Sequence, residues 1–178
     1  MAEFAFAPVT ADDLPRLRAW MDGPHWREWW GDPDAEIGDI REMVEGRDST
    51  RPFLFSQGGE PLGYIQSWTI ADARCEPWRT IAPWVDWLPD DAIGVDLSIG
   101  PEALLSHGIG SAALAAFVAM LRADGHADIY IDPDPANGRA VRAYEKAGFR
   151  AIPDYIGRTG DCLLMRHDPA AAPLQPKD

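Results

Sequence analysis

The segment Leu105-Ser106-His107-Gly108-Ile109-Gly110 stands between an apolar run, residues 92–99, and a pattern typical of a buried helix. After it, apolar residues recur at the spacing of one helix face: Leu114, Phe117, Val118 and Leu121. Glycines before a helix let an anion reach the N–H groups that lack a partner in the first helical turn. The same pattern also describes an ordinary tight turn, so these residues alone leave both interpretations open.

The chain continues with a second short strand and a second helix. Residues 128–131 lead into Asp132-Pro133-Asp134-Pro135, and a helix is predicted from about Asn137 to the ending Ala147-Gly148-Phe149. The third glycine and the later acid of a dinucleotide-binding fingerprint are missing, and no Lys-Ser or Lys-Thr follows Gly110 as in a Walker loop. Neither of those two phosphate-binding classes is therefore indicated.

Two motifs in this region are similar to those of a known family. Residues 137–149 resemble the Asn-x-x-Ala-x-x-x-Tyr-x-x-x-Gly-Phe ending of the GNAT acetyltransferases, and Gly108-Ile109-Gly110 resembles the end of their acetyl-CoA pyrophosphate loop. The resemblance implies a GNAT fold of the α/β (α+β) class. In that fold a single mixed, mostly antiparallel central sheet is flanked by helices, with a splay between the two central strands. We expect one domain over residues 1–168 and an Ala/Pro-rich, disordered tail over residues 169–178.

Composition excludes several other classes of protein. The 178 residues carry 29 acids and 16 bases, a net charge of −13, which disfavours binding to nucleic acid or to an anionic membrane. Two distant cysteines and four histidines without ligand spacing indicate neither a disulfide framework nor a metal site. No membrane-span-length apolar stretch and no signal peptide are seen, so a cytoplasmic location is expected, as a monomer or a homodimer.

The rest of the chain predicts strands and helices around this region. We expect a first strand at residues 5–9, helices carrying Leu14 and Ile37, and a hairpin at Gly58-Gly59 between strands 53–56 and 62–68. Residues 71–91 show no periodicity and are interpreted as a functional loop, and a last strand is expected at residues 161–166. The eight tryptophans fit either packing or an aromatic wall for a sugar or a cation.

Within the GNAT family the chain is most similar to the aminoglycoside 6′-N-acetyltransferases. The segments that carry this resemblance are Glu28-Trp29-Trp30-Gly31, residues 59–67, Gly94-Val95-Asp96 and Asp132-Pro133-Asp134-Pro135. It implies direct transfer of an acetyl group from acetyl-CoA, the co-substrate, to a primary amine of a cationic aminosugar antibiotic, and hence antibiotic resistance. Leu105 departs from the Arg or Gln usual in the family loop, although related resistance enzymes can have Leu there.

The resemblance also implies roles for individual residues. Asp96 would hold the amine and take its proton, directly or through water, although a nearby carboxylate also stabilises the ammonium form. Tyr144 would protonate the leaving thiolate. The other residues implied in cofactor binding are Leu97, Ser98, Ile99, His107, Gly108, Ile109, Gly110, Ser111, Asn137, Ala140 and Lys146, with Tyr144 again among them. The residues implied in substrate binding are Trp30, Gln66, Asp96 and Asp132.

Structural interpretations of the same residues stay open. Asp96 also fits an acid at a strand bulge or a sheet edge, Asp132 a turn acid before a proline, and Tyr144 a buried aromatic residue. Asn137 fits either a helix cap or a ligand of the cofactor's pantetheine. Asp154 and Asp161 are further candidates, in and beside a region, residues 153–160, that does not align cleanly with the aminoglycoside enzymes.

Other functions are also compatible with the sequence. A GNAT enzyme for another small amine, such as a hydroxylysine-type siderophore precursor, is one alternative. A protein or peptide N-acetyltransferase and a non-catalytic acyl-CoA-binding module are two more. Several convergent acids favour the aminoglycoside, because a substrate with a single amine would not require them.

Overall fold

A computed structural model describes residues 3–171 of the chain. The strands are β1 (Phe4–Pro8), β2 (Arg51–Gln57), β3 (Glu60–Thr69), β4 (Ile93–Ile99), β5 (Ile129–Ile131), β6 (Phe149–Ala151) and β7 (Met165–His167). The α-helices are α1 (Leu14–Met21), α2 (Pro24–Trp29), α3 (Pro33–Val44), α4 (Trp78–Ile81), α5 (Ile109–Ala123) and α6 (Gly138–Lys146). No helix within these residues is both long and apolar enough to cross a membrane.

Within residues 3–171, seven strands form one sheet in the order β1-β2-β3-β4-β5-β7-β6. The pairs β1–β2, β2–β3, β5–β7 and β6–β7 run antiparallel, whereas β4 and β5 run parallel. The predicted mixed, mostly antiparallel sheet is therefore confirmed. The β4–β5 ladder pairs Ile93 with Ile129 and Gly94 with Tyr130. Such a short ladder is what a splay between two strands requires.

Contacts along the chain define two compact units. The N-terminal unit comprises the residues up to Ser67 together with Leu97–Ala113. In it, buried side chains of the first three helices pack with those of β2 and β3, among them Leu17, Trp26, Ile40 and Tyr64. Each such side chain contributes about 1.5–3 kcal/mol of burial free energy.

The C-terminal unit comprises Trp68–Asp96 together with the residues from Leu114 onward. Its buried cluster includes Ile70, Trp84, Val85, Leu88 and Tyr130. The interpretation of residues 71–91 as one irregular loop is wrong, because this segment contains α4 and a short 3₁₀ helix, Pro83–Trp87. Elements this short show no periodicity in the sequence. The 3₁₀ helix is held in place by burial of Trp84 and Val85 in the cluster.

Most of the other predicted elements are confirmed, with differences at three elements. The first strand, the two N-terminal helices with their apolar faces, the 58–59 hairpin and the last helix lie where they were expected. The last strand is only Met165–His167, because the Thr159 hydroxyl donates to the Cys162 carbonyl at 2.7 Å and closes a turn before it. Helix α2 and strand β6 were not predicted. From residue 172 onward the predicted tail lies outside the described residues.

Candidate active site

Strand register brings two acids to matching positions in the C-terminal unit. Gly94 of β4 pairs with Tyr130 of the parallel strand β5. Asp96 and Asp132 each lie two residues beyond a member of that pair, on the same side of their strands as the paired residue. Both side chains are partly buried. The sequence-based expectation that Asp132 follows the strand next to that of Asp96 is met.

Electrostatics links these two acids to a phenol on α6. Burial, and next the negative charge of Asp96, raises the pKa of Asp132 well above its usual range. Tyr144 is buried, with 7% of its surface exposed, and burial followed by the charges of Asp96 and Asp132 raises the pKa of its phenol. The structure thus places the three residues in one electrostatic group. Because two carboxylates close together repel one another, a cation bound beside them would relieve that repulsion.

A tryptophan that sequence reasoning missed contacts the first of these acids. The indole Nε1–H of Trp68 donates to Oδ2 of Asp96 at 2.9 Å. The ring lies over Gly94, where an added Cβ would be 2.2 Å from the indole carbon Cε2. Alternation along β3 places Trp68 on the same strand face as Gln66, a substrate-binding candidate. This alternation was the one feature of the sequence that could have indicated Trp68 as a site residue.

The glycine turn before α5 has an unusual backbone in the N-terminal unit. Gly108 adopts φ 78°, and Ser106, which is not a glycine, adopts φ 66°. A left-handed conformation at a serine is unfavourable, and such residues cluster at ligand sites. Nothing lies within 4 Å of a Cβ built on Gly108, and the Ser111 hydroxyl donates to the Gly108 carbonyl at 2.9 Å. Together with exposed His107 and the helical residues Ile109 and Gly110, this turn leaves room for an anion at the start of α5.

The end of β4 is fixed by two buried side chains of α2. The carbonyl of Ile99 accepts hydrogen bonds from Trp26 Nε1 at 3.0 Å and from His25 Nε2 at 2.9 Å. Ser98 is buried and Leu97 is partly buried. The peptide of Ile99 therefore has a set orientation. Sequence reasoning gave no such role to His25 or Trp26.

On α6, Asn137 caps the helix. Its side-chain oxygen accepts a hydrogen bond from the backbone N–H of Ala140 at 3.1 Å. The capping interpretation is confirmed, and a contact with pantetheine stays a prediction. Ala140 is partly buried and Lys146 is exposed near the end of the helix.

The remaining substrate-binding candidates take part in packing. Trp30 is partly buried, with its ring centroid 4.9 Å from that of Trp26 and 5.8 Å from that of Tyr64. The Tyr64 hydroxyl donates to Oε1 of Gln66 at 2.5 Å and so orients the Gln66 amide. Asp154 and Asp161 are exposed. Within residues 3–171, no group of three or more His, Cys, Asp or Glu side chains has the geometry to hold a metal ion.

Comparisons with known proteins identify the family of the chain. Residues 9–155 match the acetyltransferase (GNAT) domain. A curated relative, the aminoglycoside N(6′)-acetyltransferase type 1 of Klebsiella pneumoniae, is 33% identical over 148 residues, which cover 79% of this chain and 71% of the relative.

Two similar solved structures contain ligands. AAC(6′)-Ib in complex with ribostamycin and coenzyme A has a TM-score of 0.78 and 29% identity, with 95% of each chain covered. AAC(6′)-Ib in complex with paromomycin and acetyl-CoA has a TM-score of 0.77 and 28% identity, again over 95% of each chain.

Proposed function

The chain belongs to the acetyltransferase (GNAT) domain family, and we propose that it transfers the acetyl group of acetyl-CoA to the 6′ amine of a cationic aminoglycoside. The observation that carries this proposal is the pair of carboxylates, Asp96 and Asp132, at matching positions of two parallel strands beside buried Tyr144. The relatives named for aminoglycosides support the same substrate class.

Charge is the first requirement for such a substrate. An aminoglycoside carries several ammonium groups, and the chain has a net charge of −13. The two carboxylates raise one another's affinity for a cation, because a bound ammonium group relieves their repulsion. Asp132 would therefore bind one ammonium group of the antibiotic while Asp96 receives the amine that reacts. Gln66 and Trp30 would contact the hydroxyls and the ring of the sugar.

The reacting amine has to lose its proton before it can attack. Asp96 accepts that proton, directly or through water, and the nitrogen lone pair then attacks the thioester carbonyl. The carbon–sulfur bond breaks, its electron pair leaves on the thiolate, and the nitrogen releases its second proton to solvent as the amide forms. Because its pKa is raised, the phenol of Tyr144 stays protonated until that stage, when it donates a proton or a hydrogen bond to the sulfur.

Bound substrate would also make Tyr144 a better donor. Its pKa is raised by burial and then by the charges of Asp96 and Asp132. Ammonium groups at those two carboxylates would cancel the second part of this effect. Proton donation by Tyr144 is thereby favoured when the amine substrate is in place.

The turn before α5 fits the pyrophosphate of the co-substrate. The left-handed backbone at Ser106 and Gly108 and the open space beside Gly108 leave the N–H groups from His107 to Ser111 available to an anion. The strand residues Leu97, Ser98 and Ile99 would bind the pantetheine arm through their backbone. On α6, Asn137, Ala140 and Lys146 complete the proposed set of cofactor-binding residues. Binding and orientation are the tasks of these groups, and none of them is required to react.

The test compares kanamycin B with paromomycin, which carries a hydroxyl in place of the 6′ amine. Release of CoA from acetyl-CoA should be fast with kanamycin B and absent with paromomycin, and Asp96→Asn should lose most of the rate. Turnover of both antibiotics would move the reaction to another amine. No turnover with either, in protein that still binds acetyl-CoA, would exclude the aminoglycoside and leave the other amine or the non-catalytic alternative.

The cellular location, the oligomeric state and the lack of nucleic-acid binding stay predictions. We expect a cytoplasmic enzyme that acts as a monomer or a homodimer and binds no nucleic acid. Size-exclusion chromatography with light scattering would give its oligomeric state.

A further inference from the structure

We propose that Trp68 is a positioning residue that holds the Asp96 carboxylate in the orientation in which it receives the substrate amine. The inference rests on the proposed acetyl transfer and concerns the same site. It assigns a role to a side chain that lies just after residues 59–67, one of the segments that carry the resemblance.

The contact itself is well formed. The indole Nε1–H of Trp68 lies 2.9 Å from Oδ2 of Asp96, within the normal range for a hydrogen bond to a charged acceptor. Indole is a donor only, so the bond has one possible direction and favours the ionised carboxylate. A short aspartate side chain with one oxygen held in this way keeps one rotamer.

The backbone is shaped to allow this contact. Gly94 and Asp96 lie two residues apart on β4, and therefore on the same face of the strand. Because Gly94 has no side chain, the indole occupies the space over it, where a Cβ would be 2.2 Å from two ring carbons. The ring thus lies directly beside Asp96.

The indole also packs against a second aromatic ring. The rings of Trp68 and buried Trp84 have centroids 6.4 Å apart, at an interplanar angle of 53°. Trp84 belongs to the buried cluster with Ile70 and Val85, against which Trp68 packs. The donor is therefore held by packing against both Gly94 and the cluster of Trp84, as a group that orients a reacting carboxylate should be.

The neighbourhood of Asp96 gives the bond a further consequence. Asp132 after β5 and Tyr144 on α6 are titratable groups that interact electrostatically with Asp96. The charge of Asp96 opposes ionisation of both, and the donated hydrogen bond from Trp68 favours the carboxylate form of Asp96. The proton acceptor would then be defined before the substrate arrives.

The test replaces the donor but keeps an aromatic ring. Trp68→Phe removes the N–H group. Trp84→Phe is the matched control, because it puts the same smaller ring into the same buried cluster and leaves the Trp68 N–H that donates to Asp96. With kanamycin B, we expect Trp68→Phe to lower kcat/KM about tenfold and to move the acidic limb of the pH profile of kcat/KM to higher pH. The KM for acetyl-CoA should stay within about twofold, and Trp84→Phe should keep the pH profile of the wild type.

Several outcomes would overturn the proposal. One is a Trp68→Phe enzyme with the kcat/KM and the pH profile of Trp84→Phe. If Trp68→Phe does not fold, benzothienylalanine at position 68 exchanges the N–H for sulfur at nearly constant shape, and full activity of that protein would equally contradict the role.

A second readout separates this inference from the proposed function. The ¹³Cγ titration of Asp96, assigned by difference with Asp96→Asn, needs no substrate. A higher pKa of Asp96 in Trp68→Phe supports the proposal that Trp68 positions the carboxylate through this hydrogen bond, and an unchanged titration overturns it. A wild-type enzyme without turnover of any amine overturns the proposed function, and with it the catalytic use of the contact, whatever the titration shows.

Discussion

Alanine at position 94 should destabilise the protein more than its size suggests. A Cβ on Gly94 would lie 2.2 Å from Cε2 and Cζ2 of Trp68, whereas ordinary contact begins at 3.4 Å. The indole would have to retreat by about 1.2 Å. It cannot do so freely, because Trp84 and the buried cluster lie against it.

The magnitude follows from two contributions. Overpacking of a close-packed site is unfavourable by about 1–3 kcal/mol. A retreat of that size also breaks the 2.9 Å hydrogen bond to Asp96, a further loss of about 1.5 kcal/mol for a charged acceptor. We therefore expect Gly94→Ala to lower the free energy of unfolding by about 3 kcal/mol.

Urea unfolding followed by circular dichroism measures this change. With an m-value of about 2 kcal/mol/M, the midpoint should fall by about 1.5 M. The matched control is Gly38→Ala in the interior of α3, where nothing lies within 4 Å of the added Cβ and the midpoint should rise slightly. In a Trp68→Ala background, Gly94→Ala should lose most of its effect, because the clash is gone. A Gly94→Ala midpoint equal to that of the wild type would refute the reasoning.

Two further predictions concern pH. Burial and Asp96 raise the pKa of Asp132, so its carboxylate opposes folding once the pH rises through that folded-state pKa. Urea unfolding of Asp132→Asn should therefore show about 1 kcal/mol of added stability at pH 8 and none near pH 3. An equal gain at both pH values would contradict this. Burial and Arg122, which donates to Nδ1 from 3.0 Å, lower the pKa of His167. The wild type should therefore lose stability as the pH falls from about 6.5 through the folded-state pKa, and His167→Gln should flatten that part of the curve.

Local patterns predicted the parts of the site that lie within one element. In the segment of residues 137–149, helix periodicity and turn chemistry indicated the positions of Asn137, Tyr144 and Gly148. In the structure Asn137 caps α6 and the phenol of Tyr144 is buried. Glycines before a helix likewise indicated the turn at Gly108. Each of these inferences needed only residues a few positions apart.

Contacts set by pairing of distant residues were not predictable in this way. The bond from Trp68 to Asp96 joins residues 28 apart and depends on the position of both on their strands. Helix α2 has six residues, too few for periodicity to show, and its buried His25 and Trp26 reach Ile99 of β4. The sequence indicated which residue types were available, and strand register decided which of them meet.

The acid pair shows why a site can depart from the optimum for folding. A carboxylate with a raised pKa is a group that the fold holds at an unfavourable position, and an amide of the same shape would relieve Asp132 of its charge. That relief would also remove the attraction for an ammonium group, because both effects arise from the same uncompensated negative charge. The loss of stability and the attraction for a cation therefore share one cause. Asp132→Asn should gain stability and at the same time lose affinity for the ammonium group that Asp132 would hold.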